Sequence, residues 1–143
     1  MKILEILTKS RQTGNIGERA AEKFLKKSGY KIRKRNFVAF SHEIDLIAED
    51  GTTVAFVEVK ARTIGHESKM EPRPASKVTP EKQRAIITAA RAYAPYVAHG
   101  MRLRFDVIEV FIDEKTKKAV KINHIKAAFN HNTAFPKGVG NRS

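Results

Sequence analysis

Two short β-rich runs of this sequence carry acids where a core strand calls for apolar side chains. In Glu43-Ile44-Asp45-Leu46-Ile47, Glu43 and Asp45 fall on one face of a strand and Ile44 and Leu46 on the other. In Phe56-Val57-Glu58-Val59-Lys60, Glu58 and Lys60 share a face opposite Val57 and Val59. Between the runs lies Asp50-Gly51-Thr52-Thr53, and Asp-Gly flanked by β-rich stretches signals a hairpin. A connection of that length pairs Glu49 with Val54, which sets Asp45 across from Glu58 and Glu43 across from Lys60. Directly opposed Cβ atoms on one face lie ~5 Å apart. Two carboxylates so placed repel unless something neutralises them, and Mg²⁺ does so while keeping waters for chemistry. Lys60 adjoins them, able to orient or deprotonate a water or to stabilise charge developing on a phosphate. Such a group suits hydrolysis of phosphodiesters. The competing reading is a solvated hairpin face laced with cross-strand ion pairs. Ile44, Leu46, Ile47, Phe56, Val57 and Val59 weigh against it, since they mark central strands rather than an exposed ribbon.

Other elements must hold this hairpin. Gly14-Asn15-Ile16-Gly17 opens a helical pattern carried by Ala20, Ala21, Phe24 and Leu25, with Ser28-Gly29 as the stop. Tyr30 to Val38 alternates as a strand, with Tyr30, Ile32 and Lys34 on one side and Lys31, Arg33 and Arg35 on the other. Thr79-Pro80-Glu81 supplies an N-cap, a proline at the first helical position and an early acid for a helix running to about His99, which Pro95 can kink or end. Arg102 to Asp113 and Ala119 to Ile125 read as strands, with a short helix expected near Ile125 to Phe129. The expected order is α-β-β-β-α-β-β, an α/β sandwich on a mixed β-sheet flanked by helices. Residues 1–13 are set apart as an N-terminal extension, 14–129 as one domain with a mobile loop over 62–79, and 130–143 as a flexible tail.

Composition narrows the chemistry. The 143 residues suit one domain, and 28 Lys and Arg against 15 Asp and Glu give a net charge of +13. That balance favours a polyanionic partner. Absence of cysteine removes disulfide frameworks, thiolate zinc sites and cysteine nucleophiles. No apolar run approaches a bilayer span and the N-terminus lacks the pattern of a signal peptide, so a soluble cytoplasmic protein with no membrane partner is expected. Between Arg19 and Arg35 eight basic residues face the single acid Glu22, and this basic run continues from helix into strand. We read Arg19, Lys23, Lys26, Lys27, Arg33 and Arg35, with Arg62, as phosphate-contacting positions. Asp106 shares a strand face with Arg104, Ile108 and Val110, and we read it as structural, since a buried carboxylate needs a partner. The five histidines show no ligand spacing, and no phosphate-binding P-loop is present.

Asp45, twelve intervening residues and then Glu58-Val59-Lys60 resemble the PD-(D/E)xK nuclease signature in its form lacking the leading proline. More narrowly, Gly17-Glu18, Arg35-Asn36-Phe37, Glu43 to Ile47, Phe56 to Arg62 and Arg104-Phe105-Asp106-Val107 resemble the bacterial YraN-like family of endonuclease-like proteins, over roughly Gly14 to Phe129. The resemblance implies a restriction-endonuclease-like core, also seen in archaeal Holliday junction resolvases. It implies Asp45 and Glu58 as ligands of Mg²⁺ or Mn²⁺, Lys60 as the catalytic lysine, and Glu18 as an additional acid beside the metal. Glu18 read by itself is equally a helix acid favoured by the dipole. Glu43 either joins the metal shell or pairs with Lys60. Gln83 resembles a glutamine that some relatives place near the active site, its other reading being a solvated helix position. Two functions follow: a metal-dependent endonuclease acting on DNA, branched or structured DNA included, or a non-catalytic nucleic-acid-binding module on a nuclease-like fold. Resolvase-like relatives act as dimers, so a homodimer is a further expectation.

Overall fold

The computed structural model describes residues 3–65 and 78–137, with side chains described outside 5–10. Its elements are α1 (Ile3–Lys27), β1 (Lys31–Ala39), β2 (His42–Glu49), β3 (Thr53–Ile64), α2 (Pro80–Tyr93) with a 3₁₀ turn at Ala94–Tyr96, β4 (Arg102–Asp113), β5 (Ala119–Phe129) and α3 (His131–Ala134). The strands form one mixed sheet in the order β1-β2-β3-β4-β5, antiparallel throughout except for the parallel β3–β4 pair. α2 makes the crossover that a parallel pair requires. The expected α/β class and element order hold.

Alternation along β3 divides the core between the two sheet faces. Ala55 and Val57 pack with Leu46, Ile108, Val110 and with Ala21 and Leu25 of α1. Val54 and Phe56 pack with Ile44, Ile47 and with Ile86, Ala89, Ala90 and Tyr93 of α2. Each helix therefore buries its apolar stripe on its own side of the sheet.

Local chemistry sets the element ends. α1 stops at Gly29, whose φ of +92° is the left-handed conformation glycine adopts freely, and the Tyr30 N–H returns to the Leu25 carbonyl. At the β2–β3 turn, Asp50 Oδ1 accepts from the N–H groups of Thr52 and Thr53, and Gly51 has φ +96°. The resulting register pairs Glu49 with Val54, as the loop length dictates. Thr79 Oγ1 caps α2 by accepting from the Lys82 N–H.

The structure differs from the expected layout at six places. Helix α1 begins at Ile3, so the segment set apart as an extension is helical from that residue on. Ile3, Leu4 and Leu7 already have helical spacing, and the two glycines at 14 and 17 interrupt the pattern without ending it. α2 ends at Tyr93 rather than near His99, because Pro95 has no N–H to continue the ladder. Arg62 to Ile64 belong to β3, and residues 66–77 of the expected loop lie outside the described residues. Residues 125–129 are strand, not helix, with a bulge between the pairs Phe105–Phe129 and Val107–Ile125. A bulge between Ile32 and Lys34 also breaks the simple two-faced reading of β1. Beyond β5, Asn130 and Thr133 cap the short α3 within the segment expected to be a tail, and residues 138–143 lie outside the described residues. Among the described residues no helix is long and apolar enough to cross a membrane.

Candidate active site at a fork in the sheet

The candidate site sits where β2 and β3 part. Their ladder runs from Glu49–Val54 to Leu46–Val57, and at the next position the Asp45 side chain takes over. Its Oδ2 accepts from the Val59 N–H at 2.8 Å, doing what a strand carbonyl would otherwise do. β3 meanwhile stays paired with β4 over its whole length, from Thr53–Arg102 to Ile64–Asp113. β2 stays with β1 through Phe37–Ile44, Val38–Glu43 and Ala39–His42. The two strands thus diverge with different neighbours.

Strand alternation breaks at the same level. Leu46 packs on the α1 side of the sheet and Ile44 on the α2 side, although two residues apart on a regular strand share a face. On β1, Arg35 pairs with Glu22 of α1, whereas Phe37 packs on the α2 side, and Asn36 between them has φ +49°. The fork therefore gathers groups from both faces. Glu18 arrives from α1, Glu58 and Lys60 from β3, and Lys82 from α2.

Glu18 is brought in by close packing. A Cβ at Gly17 would lie 2.5 Å from the Ala61 Cβ, so only glycine lets α1 approach β3 this closely. Glu18, the next residue, lines a cleft of about 600 Å³ with Asp45, Glu58, Lys60, Arg62 and Thr13.

The electrostatics are unbalanced. Glu58 is buried, and its Oε2 has no hydrogen-bond partner among the described residues. Among the described residues it forms one ion pair, with the Lys82 ammonium 3.9 Å from Oε1, at the outer limit of such a contact. Burial and then the adjacent Asp45 push the Glu58 carboxyl up to about 7, against the opposing pull of Lys82 and Lys60. Asp45 is raised as well, chiefly by burial and further by Glu43, with the Val59 N–H opposing. Glu18 is raised by burial and by the charges of Asp45 and Glu43. Three carboxyls thus hold protons above their usual range, the condition of a site short of positive charge.

Asp45, Glu58, Glu18 and Lys60 share this cleft. Glu43 is exposed and lines a neighbouring cleft with His42, Thr79 and Lys82. Among the described ion pairs none joins Glu43 to Lys60, because the ladder that would oppose them ends at Leu46–Val57. Gln83 lies outside both clefts: it donates to the Val78 carbonyl and accepts from Thr133, tying α2 to α3. Lys82, one residue earlier, is the cation that sequence reasoning passed over; its only sequence signal is its place in the first turn of a well-capped helix. No group of three or more His, Asp or Glu forms a metal-ligand cluster among the described residues. Protein donors alone therefore do not complete a coordination shell here, and Mg²⁺ ordinarily fills the rest of its shell with water and phosphate oxygens.

The basic run is partly matched by acids. Glu22 accepts from the Arg35 guanidinium and lies 3.1 Å from the Lys26 ammonium, and Arg33 pairs with Glu49. Arg19 lines a small cleft beside Glu18 and Asn36, Lys23 and Lys27 are exposed, and Arg62 lies in the main cleft.

Away from the fork, Asp106 is fully buried and fully partnered. Arg104 grips it through Nε and Nη2 at 2.8 and 2.7 Å. His124 Nε2 lies 2.8 Å from Oδ2, and the Ala127 N–H donates to Oδ1 at 3.0 Å. Ala127 has φ +52°, so the carboxylate fastens the β5 bulge. The structural reading of Asp106 holds, and His124 gains a structural part.

Comparison with known proteins places these features. Residues 17–110 match the profile described as Uncharacterised protein family UPF0102. A UPF0102 protein of Chlorobaculum parvum is 43% identical over 124 residues, covering 81% of this chain and 90% of its own length. One from Desulfosudis oleivorans is 49% identical over 106 residues, covering 73% and 83%. A third, from Caldicellulosiruptor saccharolyticus, is 41% identical over 120 residues, covering 83% and 98%. The matched segment begins at Gly17, beside Glu18, and runs through both arms of the fork into β4: the chain belongs to the UPF0102 family.

Proposed function

We propose that this protein is a metal-dependent endonuclease hydrolysing phosphodiester bonds of DNA, with branched or structured DNA as its substrate class. One observation carries the reading: the Oε2 of buried Glu58, without a hydrogen-bond partner among the described residues, lies beside Asp45 at a fork opening into a cleft that also holds Lys60. The fold uses Asp45 to hold the Val59 N–H but gains nothing from an unpartnered oxygen on buried Glu58, since an unsatisfied buried charge is costly. A divalent cation would supply the missing positive charge. The donor set fits Mg²⁺ or Mn²⁺ with Asp45 and Glu58 as direct ligands and Glu18 acting through water, the remaining positions being left to water and phosphate. When bound, the cation lowers the pKa of water and neutralises charge on the phosphate. Lys60 orients the attacking water and stabilises negative charge building on the non-bridging oxygens. The water gives up a proton to solvent as its oxygen bonds to phosphorus, one bridging P–O bond breaks, and the departing oxygen takes up a proton from solvent. Arg62, in the same cleft, and the basic positions from Arg19 to Arg35 grip flanking phosphates.

Cleavage of duplex, single-stranded, flap and four-way-junction DNA in Mg²⁺ and Mn²⁺ tests this. Asp45→Ala and Lys60→Ala should abolish product while keeping much of the DNA affinity. If both cleave like the parent, the assignment fails. A second reading, a non-catalytic nucleic-acid-binding module, draws on the absence of a three-residue ligand cluster among the described residues. It expects binding that falls steeply with salt, no metal dependence and no product.

A further inference from the structure

We propose that Phe40, at the tip of the β1–β2 hairpin, stacks on an unpaired base of the substrate, so that the protein recognises DNA carrying a gap, flap or branch close to the scissile bond. The inference rests on the nuclease reading above and names what that site would select.

Four observations support it. First, Phe40 is 68% exposed, and Val38 on the same hairpin is 63% exposed. Single exposed apolar residues are common and carry little alone. Second, the backbone at the tip suits other residues better. Ala39 pairs with His42, and the two residues between them have φ of +53° and +61°. That is a tight turn of the kind Asn-Gly serves best, and a bulky L-residue in it is strained. The turn is needed by the fold; an aromatic ring at its first position is not.

Third, the tip adjoins the site. Ser41, His42 and Glu43 form one wall of a cleft of about 700 Å³, and Lys82 and Arg84 of α2 lie on the other. Lys82 is the residue that reaches Glu58. Lys82 thus links the cleft beside the tip to the carboxylates, in a lining that also holds Arg84 and the acids Glu43 and Glu81. Fourth, the reach is set by the chain. Phe40 and Asp45 are five positions apart, at most ~18 Å along an extended strand, which corresponds to about five nucleotides at ~3.4 Å per step. Stacking on an aromatic ring accepts any base, so such a contact reads strand structure rather than sequence.

The protein contains no tryptophan, so Phe40→Trp installs a single fluorescent reporter at the tip. Titration of this variant in Ca²⁺ with a gapped duplex and with a continuous duplex of the same sequence should quench fluorescence with the gapped DNA only. Phe40→Ala should lose about 5- to 100-fold in affinity for the gapped DNA, the range for one stacked base, with continuous-duplex affinity unchanged and Phe40→Tyr near the parent. Equal affinity of Phe40→Ala and parent for gapped DNA, with no quenching in the bound Phe40→Trp variant, overturns the proposal. So does a change in oligomeric state of Phe40→Ala with DNA affinity unchanged, which would make the tip a contact between copies of this chain. Quenching by gapped DNA without cleavage in Mg²⁺ or Mn²⁺ supports the stacking contact while removing the nuclease reading. A parent protein that binds neither DNA overturns both.

Discussion

Two buried acids on neighbouring strands have opposite surroundings. Asp106 on β4 is fully buried yet receives Arg104, His124 and the Ala127 N–H. Glu58 on β3 is buried with one oxygen unpartnered and Asp45 beside it. The titration follows the surroundings. Burial alone would raise Asp106, but hydrogen bonds from His124, Arg104 and Ala127 overcome it and hold the carboxyl below its usual value. At Glu58 burial and Asp45 act together and raise it to about 7. One carboxylate is satisfied by the fold; the other keeps an oxygen with no hydrogen-bond partner among the described residues. That difference separates a structural acid from a candidate catalytic one more sharply than burial or strand position does.

Removing the satisfied acid should have the largest effect on stability. Asp106→Ala strands Arg104 and His124 and releases the β5 bulge, and should cost about 3–5 kcal/mol in chemical denaturation. A loss under ~1 kcal/mol would deny Asp106 its structural part.

The unsatisfied acid should respond the other way. Glu58→Gln removes a charge the fold holds poorly, so at pH 8 it should stabilise the protein, by at most about 3 kcal/mol from the shift at 1.36 kcal/mol per pKa unit. Activity should vanish in the same variant. A destabilised Glu58→Gln protein at pH 8 would show that the fold depends on the carboxylate.

Stability against pH sharpens the contrast. Glu58 has a folded pKa above its unfolded value, so the stability it contributes is complete below about 4.5 and is lost as pH rises through about 7. Asp106 has a lowered folded pKa, so its contribution is complete above about 4 and is lost as pH falls below that value. In metal-free buffer, unfolding free energy should therefore decline from pH 5 to pH 8 in the parent, and decline less in Glu58→Gln. Below pH 4 both should lose stability together, and Asp106→Asn should lose less than the parent.

A smaller effect is expected where α1 meets β3. Gly17→Ala drives a methyl into Ala61, and overpacking of that kind costs about 1–3 kcal/mol, offset by about 1 kcal/mol of helix propensity. The net loss should be modest while activity falls further, because Glu18 moves with the helix. Ala61→Gly in the same chain should restore both.

The sequence was most informative where rules are local. β4 occupies Arg102 to Asp113 as read, and the length of the Asp50–Thr53 connection was enough to pair Glu49 with Val54. That register brought Asp45 to the neighbourhood of Glu58. It failed one step further on, because period-two alternation assumes a continuous ladder. Here the Asp45 carboxylate replaces a backbone partner and the strands fork, so Glu43 and Lys60 never face each other. The β5 bulge was illegible for a similar reason, since it is held by Asp106 from another strand. Lys82 was missed because its partner lies 24 positions away on β3, and only the crossover of α2 brings the two together. The fork, the bulge and Lys82 depend on contacts between distant segments, and Asp45 and Asp106 make two of those contacts with their side chains.

The central claim is that Asp45 and Glu58 form a cation site the fold leaves unbalanced. Titration of Mn²⁺ against the full-length protein at pH 8, following free Mn²⁺ by electron paramagnetic resonance, tests it most directly. One site per chain is expected in the parent, lost in Glu58→Gln although that variant is folded and more stable. Equal Mn²⁺ binding by parent and variant, or none by either, would contradict it.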